Sequence, residues 1–334
     1  MVDFADLSDE QRILRLKTLA REALAAYGMP HGILKPRSYV ENAVFELLDE
    51  SSETHASLRV CRAQWEADDL RREVSWLEAL SRETDLRLPV PIPTLAGAPF
   101  SVVETTDVPG PRACVLFRWV DGAYASREEL TVSRLRDVGR FLARLHEHAE
   151  TFQLPSELAM NRFDAEALDA TDWRANIGRY FTDKGELAPF GKAVDSTVRL
   201  MRILGDDAAV AGIIHGDFHQ RNYVFDGDRV GALDFETALW GYYVYDLATT
   251  LSYLVPEFLG VVNPEPLRTA MLEGYAEIRG LPREHEPMLQ IFSAYRMWIM
   301  ADWLSASRRM LAHDWARQRL DGMPEQIRGL LADV

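Results

Sequence analysis

Strand-like and helical patterns occupy different parts of this chain, and this division constrains its fold more than any other feature of the sequence. Short apolar runs typical of strands come first, around residues 33–34, 43–47, 57–61, 100–104 and 113–117. One helical pattern lies among them, from about residue 67 to residue 81. The polar segments between the first three runs are too short for helices, so these runs predict antiparallel hairpins.

Helical patterns dominate the rest of the chain, and a boundary is expected near residue 120. The first part also begins with an amphipathic helical pattern, over residues 10–27, which stops at Gly28. Residues 212–235 are the exception in the second part, because short strand-like runs occur there. We therefore expect a first part rich in strands and a second part rich in helices.

The chain is strongly acidic, with 52 acidic and 37 basic residues and a net charge of −15 at pH 7. A nucleic-acid-binding protein normally presents a basic face that neutralises phosphates, so no nucleic-acid partner is expected. The acidity favours a cationic or amine-bearing substrate, although acidity that serves only solubility is the commoner case.

The cysteines and the N-terminus point to a cytoplasmic protein. Cys61 and Cys114 each lie inside an apolar run, which predicts buried packing residues and a reducing compartment. The N-terminus lacks the basic start and apolar stretch of a signal peptide, and no run approaches the ~18 apolar residues of a membrane span. No membrane partner is expected.

Three polar residues near the strand-like runs of the second part have the chemistry for phosphoryl transfer. They are Asp217 in a His-Gly-Asp motif, Asn222, and Asp234 in an Asp-Phe-Glu motif. The reaction needs a group that orients the attacking hydroxyl and accepts its proton, and oxygen ligands that hold Mg²⁺ against the nucleotide phosphates. We predict Asp217 as the catalytic base, with Asn222 and Asp234 as metal ligands at the two ends of a hairpin.

Two other interpretations of these residues remain open. His215, Asp217 and His219 form a His-x-Asp-x-His pattern that could bind zinc, although no further ligand set is evident. Asp217 and Asp234 could instead be the acids of a two-metal phosphatase or hydrolase. The asparagine between them fits a kinase better.

The His-Gly-Asp motif that ends at Asp217, with Asn222 and the Asp-Phe-Glu motif that begins at Asp234, resembles the signature of the aminoglycoside phosphotransferase and choline kinase superfamily. Its homoserine-kinase type II and bacterial stress-response-kinase branches look nearest. The resemblance implies a protein-kinase-like two-lobed α+β fold, with an antiparallel β-sheet N-lobe over residues 1–119 and a mostly helical C-lobe over residues 120–334. It also implies ATP and Mg²⁺ as cofactors.

The resemblance extends upstream and implies a nucleotide site. Ser38 begins a segment similar to the family's nucleotide-binding loop and would contact a phosphate, although it could be an ordinary turn residue. Arg59 and Glu73 fit the cation–glutamate pair that orients the phosphates, with arginine where lysine is more usual. By itself, Glu73 would be read as part of a solvated helix face. The segment around Arg118 and Val120 resembles the inter-lobe hinge, and the Arg118 C=O and Val120 N–H would bind the adenine edge.

Aromatic and acidic residues of the second part are the candidate acceptor site. Trp240 follows the metal-binding segment, and Trp298 and Asp302 share a helix face on which they could hold an ammonium group. Aromatic residues are more often part of a core. Asp246 is expected to be a structural acid at a helix start that satisfies backbone donors.

These patterns predict an ATP- and Mg²⁺-dependent phosphotransferase that moves the γ-phosphate to a hydroxyl of a small, amine-bearing molecule. The family's acceptors include aminoglycosides, choline, homoserine and hexosamines, and the motifs do not separate them. The alternatives are a Ser/Thr protein kinase of the bacterial stress-response type and a nucleotide-binding pseudokinase, although all the proposed catalytic groups are present. A homodimer is common among related enzymes, but nothing in the sequence demands one.

Overall fold

The structure is a computed structural model that describes residues 4–51, 53–255 and 263–334. The strands are β1 (Ile33–Tyr39), β2 (Ala43–Asp49), β3 (Thr54–Val60), β4 (Pro91–Ile92), β5 (Ser101–Thr105), β6 (Val108–Arg118), β7 (Ala211–Ile214), β8 (Tyr223–Asp226), β9 (Arg229–Ala232) and β10 (Leu239–Tyr242). The α-helices are α1 (Asp9–Ala23), α2 (Ala67–Glu83), α3 (Val132–Thr151), α4 (Ala165–Asp169), α5 (Lys184–Leu204), α6 (Tyr243–Leu251), α7 (Glu265–Ala276), α8 (His285–Ala306), α9 (Arg308–Leu311) and α10 (Asp314–Leu330). Short 3₁₀ helices occupy Phe4–Asp6, Leu24–Tyr27, Ile177–Arg179 and Phe235–Thr237.

Internal contacts divide the chain into two compact units. The first contains residues 1–122, 153–159 and 231–236, and the second contains residues 123–152, 160–230 and 237–334. Asp234 therefore belongs to the first unit, although it lies late in the sequence.

The first unit is built on an antiparallel sheet with the order β1-β2-β3-β6-β4, and β5 pairs with residues 108–114 of β6. Phe45 and Leu47 of β2 and Leu58 of β3 lie in one core cluster with Leu16 and Leu19 of α1. Side chains alternate along a strand, so this spacing directs one apolar face of the sheet towards α1. The predicted antiparallel hairpins are confirmed.

Helix α1 begins where its sequence predicts, and a 3₁₀ turn continues it to the predicted end. The Ser8 side chain accepts the N–H of Gln11 and the Gln11 side chain accepts the N–H of Ser8, which is a complete capping box. After Ala23 the chain tightens into a 3₁₀ turn and reverses at Gly28, whose φ is +75°. The predicted helix over residues 10–27 is therefore confirmed, with its last turn in 3₁₀ geometry.

The described part of the second unit is mostly helical, and it contains the antiparallel pair β7–β10. Helices α3 and α7 pack closely against each other at two glycines. A Cβ on Gly139 would lie 2.0 Å from the carbonyl oxygen of Met271, and a Cβ on Gly274 would lie 2.0 Å from the carbonyl oxygen of Arg136. Strands β4 and β10 were not predicted. They are too short for a periodic signal, and their pairing with β6 and β7 determines their extended conformation.

The antiparallel N-terminal sheet and the helical C-terminal part confirm the predicted α+β fold class. Cys61 and Cys114 are buried free thiols, as predicted, and burial raises the pKa of each. None of the helices in the described residues is long and apolar enough to cross a membrane.

Candidate active site

The His-Gly-Asp motif forms a turn directly after β7. Gly216 has a φ of +78°, and a Cβ at this position would lie 2.6 Å from the carbonyl oxygen of Thr237. Both conditions favour glycine strongly over any residue with a side chain. The Thr237 hydroxyl also donates to the carbonyl oxygen of His215 at 2.9 Å. The turn thus holds Asp217 in a defined position.

Asp246 of α6 anchors the same turn. Its carboxylate accepts the backbone N–H groups of His215 and Gly216, each at 2.8 Å. The other contact is Nε2 of His146 at 3.2 Å, and both side chains of that pair are 0% exposed. Asp246 therefore satisfies backbone donors, as predicted, but they belong to the His-Gly-Asp turn and not to the start of its own helix.

The Asp217 carboxylate contacts three side chains, two from its own loop and one from α8. Arg296 of α8 contacts Oδ1 through Nη2. The Asn222 amide nitrogen donates to Oδ2 at 3.1 Å, and Nε2 of His219 lies 3.4 Å from the same oxygen. Burial raises the pKa of Asp217, but the charge of Arg296 and the contact with His219 outweigh burial and lower the pKa to about 2. Asp217 is therefore ionised at neutral pH.

Both histidines of this loop use Nδ1 for hydrogen bonds within the loop. Nδ1 of His215 accepts the N–H of Asp217 at 3.3 Å, and Nδ1 of His219 accepts the N–H of Arg221 at 3.1 Å. Across the described residues, no group of three or more His, Cys, Asp or Glu is arranged to hold a metal ion. The geometry offers no support for the zinc interpretation.

Arg59 of β3 and Glu73 of α2 form a buried bidentate ion pair in the first unit. Nη1 donates to Oε1 at 2.9 Å and Nη2 donates to Oε2. Burial lowers the pKa of Arg59, but the charge of Glu73 outweighs burial and raises the pKa well above its usual value. Oδ1 of Asp234 lies 4.0 Å from Nη1 of the same guanidinium. The structure thus brings together three of the predicted site residues.

Ser38 lies on the same row of the sheet as Arg59. It pairs with Val44 of β2, and Val44 pairs with Arg59 of β3. Directly opposed residues in an antiparallel sheet share a face, so the Ser38 and Arg59 side chains lie on one face, two strands and about 10 Å apart. The phosphate contact of Ser38 stays a prediction.

Arg118 and Val120 lie at the end of β6. The N–H of Arg118 donates to the carbonyl oxygen of Val90 at 2.8 Å, and the N–H of Trp119 donates to that of His55 at 3.1 Å. The chain is therefore bonded to the sheet as far as Trp119. The adenine contacts of the Arg118 C=O and the Val120 N–H stay predictions.

The three residues predicted for the acceptor site already contact other protein groups. The Arg162 guanidinium lies 3.7 Å from the centroid of the Trp240 ring. The Nε1–H of Trp298 donates to the carbonyl oxygen of Trp173 at 3.0 Å, and the side-chain amide of Asn176 donates to the carboxylate of Asp302 at 3.0 Å. None of these contacts joins the three residues to Asp217. Their acceptor role stays a prediction.

Arg296 is the residue at this site that sequence reasoning missed. It lies on α8 between Tyr295 and Trp298 with its side chain 12% exposed, and the buried residues of this helix are apolar or aromatic apart from Ser305. That isolated charge was the available signal, because a buried cation needs an anionic partner. The sequence does not show which acidic residue supplies it.

The predicted Mg²⁺ ligands offer oxygen atoms of the right kind, each within its own unit. The Asn222 amide nitrogen donates to the carbonyl oxygen and to the carboxylate of Asp217, at 2.9 Å and 3.1 Å, so the amide oxygen is the atom left to bind a cation. The Asp234 side chain is 48% exposed. Its φ of +60° is a strained value for a residue with a side chain, and such strain is concentrated at functional sites. An amide oxygen and a carboxylate both suit Mg²⁺.

The Glu73→Gln substitution should destabilise the protein, because it removes the bidentate anionic partner of the buried Arg59 guanidinium and leaves only Asp234, 4.0 Å away. The two side chains are 6% and 5% exposed, so solvent screens the pair little. We expect the free energy of unfolding to fall by about 3 kcal/mol, as for other broken buried pairs. Urea unfolding measures this, with Glu78→Gln on the exposed face of α2 as the control. Equal urea midpoints for the two variants would show that the Arg59–Glu73 pair contributes nothing to stability.

Comparisons with known proteins identify the family of this chain. Residues 33–287 match the model of the phosphotransferase enzyme family, APH. A homoserine kinase of Rhizobium johnstonii is 28% identical over 273 residues, which cover 80% of this chain and 79% of that protein. The structure of a microcompartment-associated aminopropanol kinase matches with a TM-score of 0.79 and 26% identity, over 95% of this chain and 98% of that chain.

A more distant match shares the fold alone. An amicoumacin kinase, solved with AMP-PNP, Ca²⁺ and Ami, matches with a TM-score of 0.72 and 15% identity, over 96% of this chain and 94% of that chain. The fold predicted from the sequence is therefore the fold of known kinases. Because the family model covers residues 33–287, more than half of the chain, this protein belongs to the phosphotransferase enzyme family and is an ATP-dependent kinase that acts on a hydroxyl group.

Proposed function

We propose that this enzyme transfers the γ-phosphoryl group of Mg-ATP to the hydroxyl of a small, amine-bearing molecule, and that Asp217 orients this hydroxyl. The observation that carries the proposal is the ionised Asp217 carboxylate, 24% exposed, on a turn that Asp246 holds through two backbone hydrogen bonds. The names of two similar proteins, a homoserine kinase and an aminopropanol kinase, support an acceptor that carries both a hydroxyl and an amine.

In the proposed reaction the acceptor oxygen forms a bond to the γ-phosphorus while the bond between that phosphorus and the bridging oxygen breaks. The electron pair of the broken bond stays on the β-phosphate of ADP, and the hydroxyl proton passes to Asp217. A carboxylate, with an ordinary pKa of about 4, is too weak a base to remove this proton before the phosphoryl group moves. Its main contribution is therefore to orient the hydroxyl, and the proton transfers as the new bond forms.

The nucleotide would be held by the predicted residues of the first unit. Arg59, fixed by Glu73, would align the phosphates, Ser38 would add a phosphate contact, and the backbone at Arg118 and Val120 would bind the adenine edge. Asn222 and Asp234 would hold Mg²⁺, which neutralises charge on the phosphates.

A panel assay of ADP release tests this function. With Mg-ATP, we expect one amino alcohol or hydroxy amino acid to stimulate ADP release at least about ten-fold above the acceptor-free rate, because an oriented hydroxyl replaces water as the nucleophile. Hexosamines, aminoglycosides and a generic protein acceptor complete the panel. Phosphate transfer to protein alone would establish a Ser/Thr protein kinase instead, and ATP binding without turnover would establish a pseudokinase.

A further inference from the structure

Arg296 gives the acceptor side of the site a buried positive charge. Its side chain is 12% exposed, beside the 24% exposed Asp217. Burial lowers the pKa of Arg296, but Asp217 and the hydroxyl of Tyr245 outweigh burial and raise the pKa far above its usual value. The guanidinium is therefore a permanent cation next to the predicted catalytic carboxylate.

Without an acceptor, protein groups occupy both oxygens of Asp217. Arg296 contacts Oδ1, whereas Asn222 and His219 approach Oδ2. An acceptor hydroxyl that donates to Asp217 in the orientation for phosphoryl transfer must therefore share or replace one of these contacts. The Asn222 contact is unsuited to replacement, because Asn222 is also the predicted metal ligand and donates to the Asp217 carbonyl oxygen. The Arg296 contact is the one that an acceptor can exchange.

Displacing Asp217 from Arg296 has an electrostatic cost that depends on the charge of the acceptor. An acceptor without negative charge would leave the Arg296 cation buried and without its counter-ion, which is strongly unfavourable. An acceptor with a carboxylate would provide a new counter-ion. A guanidinium binds a carboxylate through two parallel N–H donors. In Arg296 the Nε donor is buried and has no hydrogen-bond partner among the described residues, so part of the donor capacity of the guanidinium is unused while it contacts Asp217.

We propose that Arg296 binds a carboxylate of the phosphate acceptor, and that the acceptor is therefore a hydroxy amino acid and not a simple amino alcohol. On binding, the acceptor carboxylate takes the place of Asp217 on the guanidinium, and the released Oδ1 of Asp217 accepts the acceptor hydroxyl. This inference rests on the proposed function and adds to it the chemical class of the acceptor.

Three pairs of compounds, each differing only by a carboxylate, test this proposal. They are homoserine with 3-aminopropan-1-ol, threonine with 1-aminopropan-2-ol, and serine with ethanolamine. In the pair that the wild-type enzyme uses, we expect kcat/KM to be about 100-fold higher for the member with the carboxylate, the size of a charge-assisted hydrogen bond. Equal or better use of the amino alcohol would overturn the proposal without any variant.

The Arg296→Gln variant separates acceptor binding from other roles. We expect it to lower kcat/KM about 100-fold more for the carboxylate member than for the amino alcohol, mainly through a higher KM, so that the preference within the pair is lost. The control is Arg308→Gln, an exposed arginine just beyond α8 that should leave both values unchanged. Thermal unfolding of each variant confirms that the protein remains folded at the assay temperature.

Equal losses for both members of a pair would overturn the proposal, because they would show that Arg296 acts on the transferred phosphoryl group or on Asp217 alone. If the wild-type enzyme phosphorylates no member of any pair, the proposed function fails for these acceptors. Calorimetry with the same pairs, AMP-PNP and Mg²⁺ then decides the inference by itself. Carboxylate-dependent binding that Arg296→Gln abolishes would support it, and equal affinities or no binding of either member would overturn it.

Discussion

The Asp217→Asn variant should turn over about 10³-fold more slowly than the wild-type enzyme, with most of the loss in kcat. The asparagine keeps the size of the side chain but cannot accept the hydroxyl proton. Its amide nitrogen would also face an N–H donor of Asn222 or Arg296, both of which contact the carboxylate in the wild-type enzyme. Proton transfer by a positioned side chain typically contributes 10²–10⁴-fold, and orientation of the hydroxyl is lost as well. Steady-state ADP release with the best acceptor measures the effect.

Two further measurements define the role of Asp217. Asp228→Asn, the same chemical change in the exposed turn of the β8–β9 hairpin, should leave kcat unchanged. In the wild-type enzyme the lowered pKa keeps Asp217 ionised until the pH falls through about 2, so Asp217 should produce no acid limb in kcat/KM above pH 4. Near-normal turnover of Asp217→Asn would mean that another group orients the hydroxyl.

The Asp246→Asn variant should lose both stability and turnover. One carboxylate oxygen accepts the N–H of Gly216, and the other accepts that of His215 and faces Nε2 of His146. The side-chain amide of an asparagine would place its own N–H group against one of these N–H donors, at a fully buried position. We expect the free energy of unfolding to fall by about 3 kcal/mol and kcat to fall about 100-fold, since the turn that presents Asp217 is no longer held.

Urea unfolding and steady-state kinetics on the same preparation check this expectation. Asp228→Asn again serves as the matched control, because its side chain is exposed. A stable variant with normal kcat would show that β7 and Thr237 hold the turn without Asp246. A stable variant with reduced kcat would show instead that Asp246 serves the geometry of the site more than the fold.

Local patterns predicted most of the elements and the main polar residues. The capping box at Ser8 and the left-handed Gly28 set the limits of the first helix, because both act on backbone groups within a few residues. Short apolar runs separated by polar segments predicted β2 and β3, because such runs are a local property of the sequence. The His-Gly-Asp motif was recognisable for the same reason, since its chemistry lies in adjacent positions.

These local patterns could not predict the shortest strands or the partners of buried charged residues. Strand β10 is four residues long and extended because it pairs with β7, which ends 25 positions before it begins. The bidentate contact between Arg59 and Glu73 joins residues 14 positions apart. Their proximity depends on how α2 packs against the sheet, although the resemblance to kinases had suggested the pair.

The sequence by itself determined the fold class, the order of the longer strands and helices, and the identity of Asp217, Asn222 and Asp234 as candidates for phosphoryl transfer. Only the tertiary structure decided which groups surround Asp217. Arg296 lies 79 positions from Asp217, and Asp246 lies 31 positions from His215. A buried charge signals that a partner exists, but many acidic residues could satisfy it, and the packing of α6 and α8 in the second unit selects one.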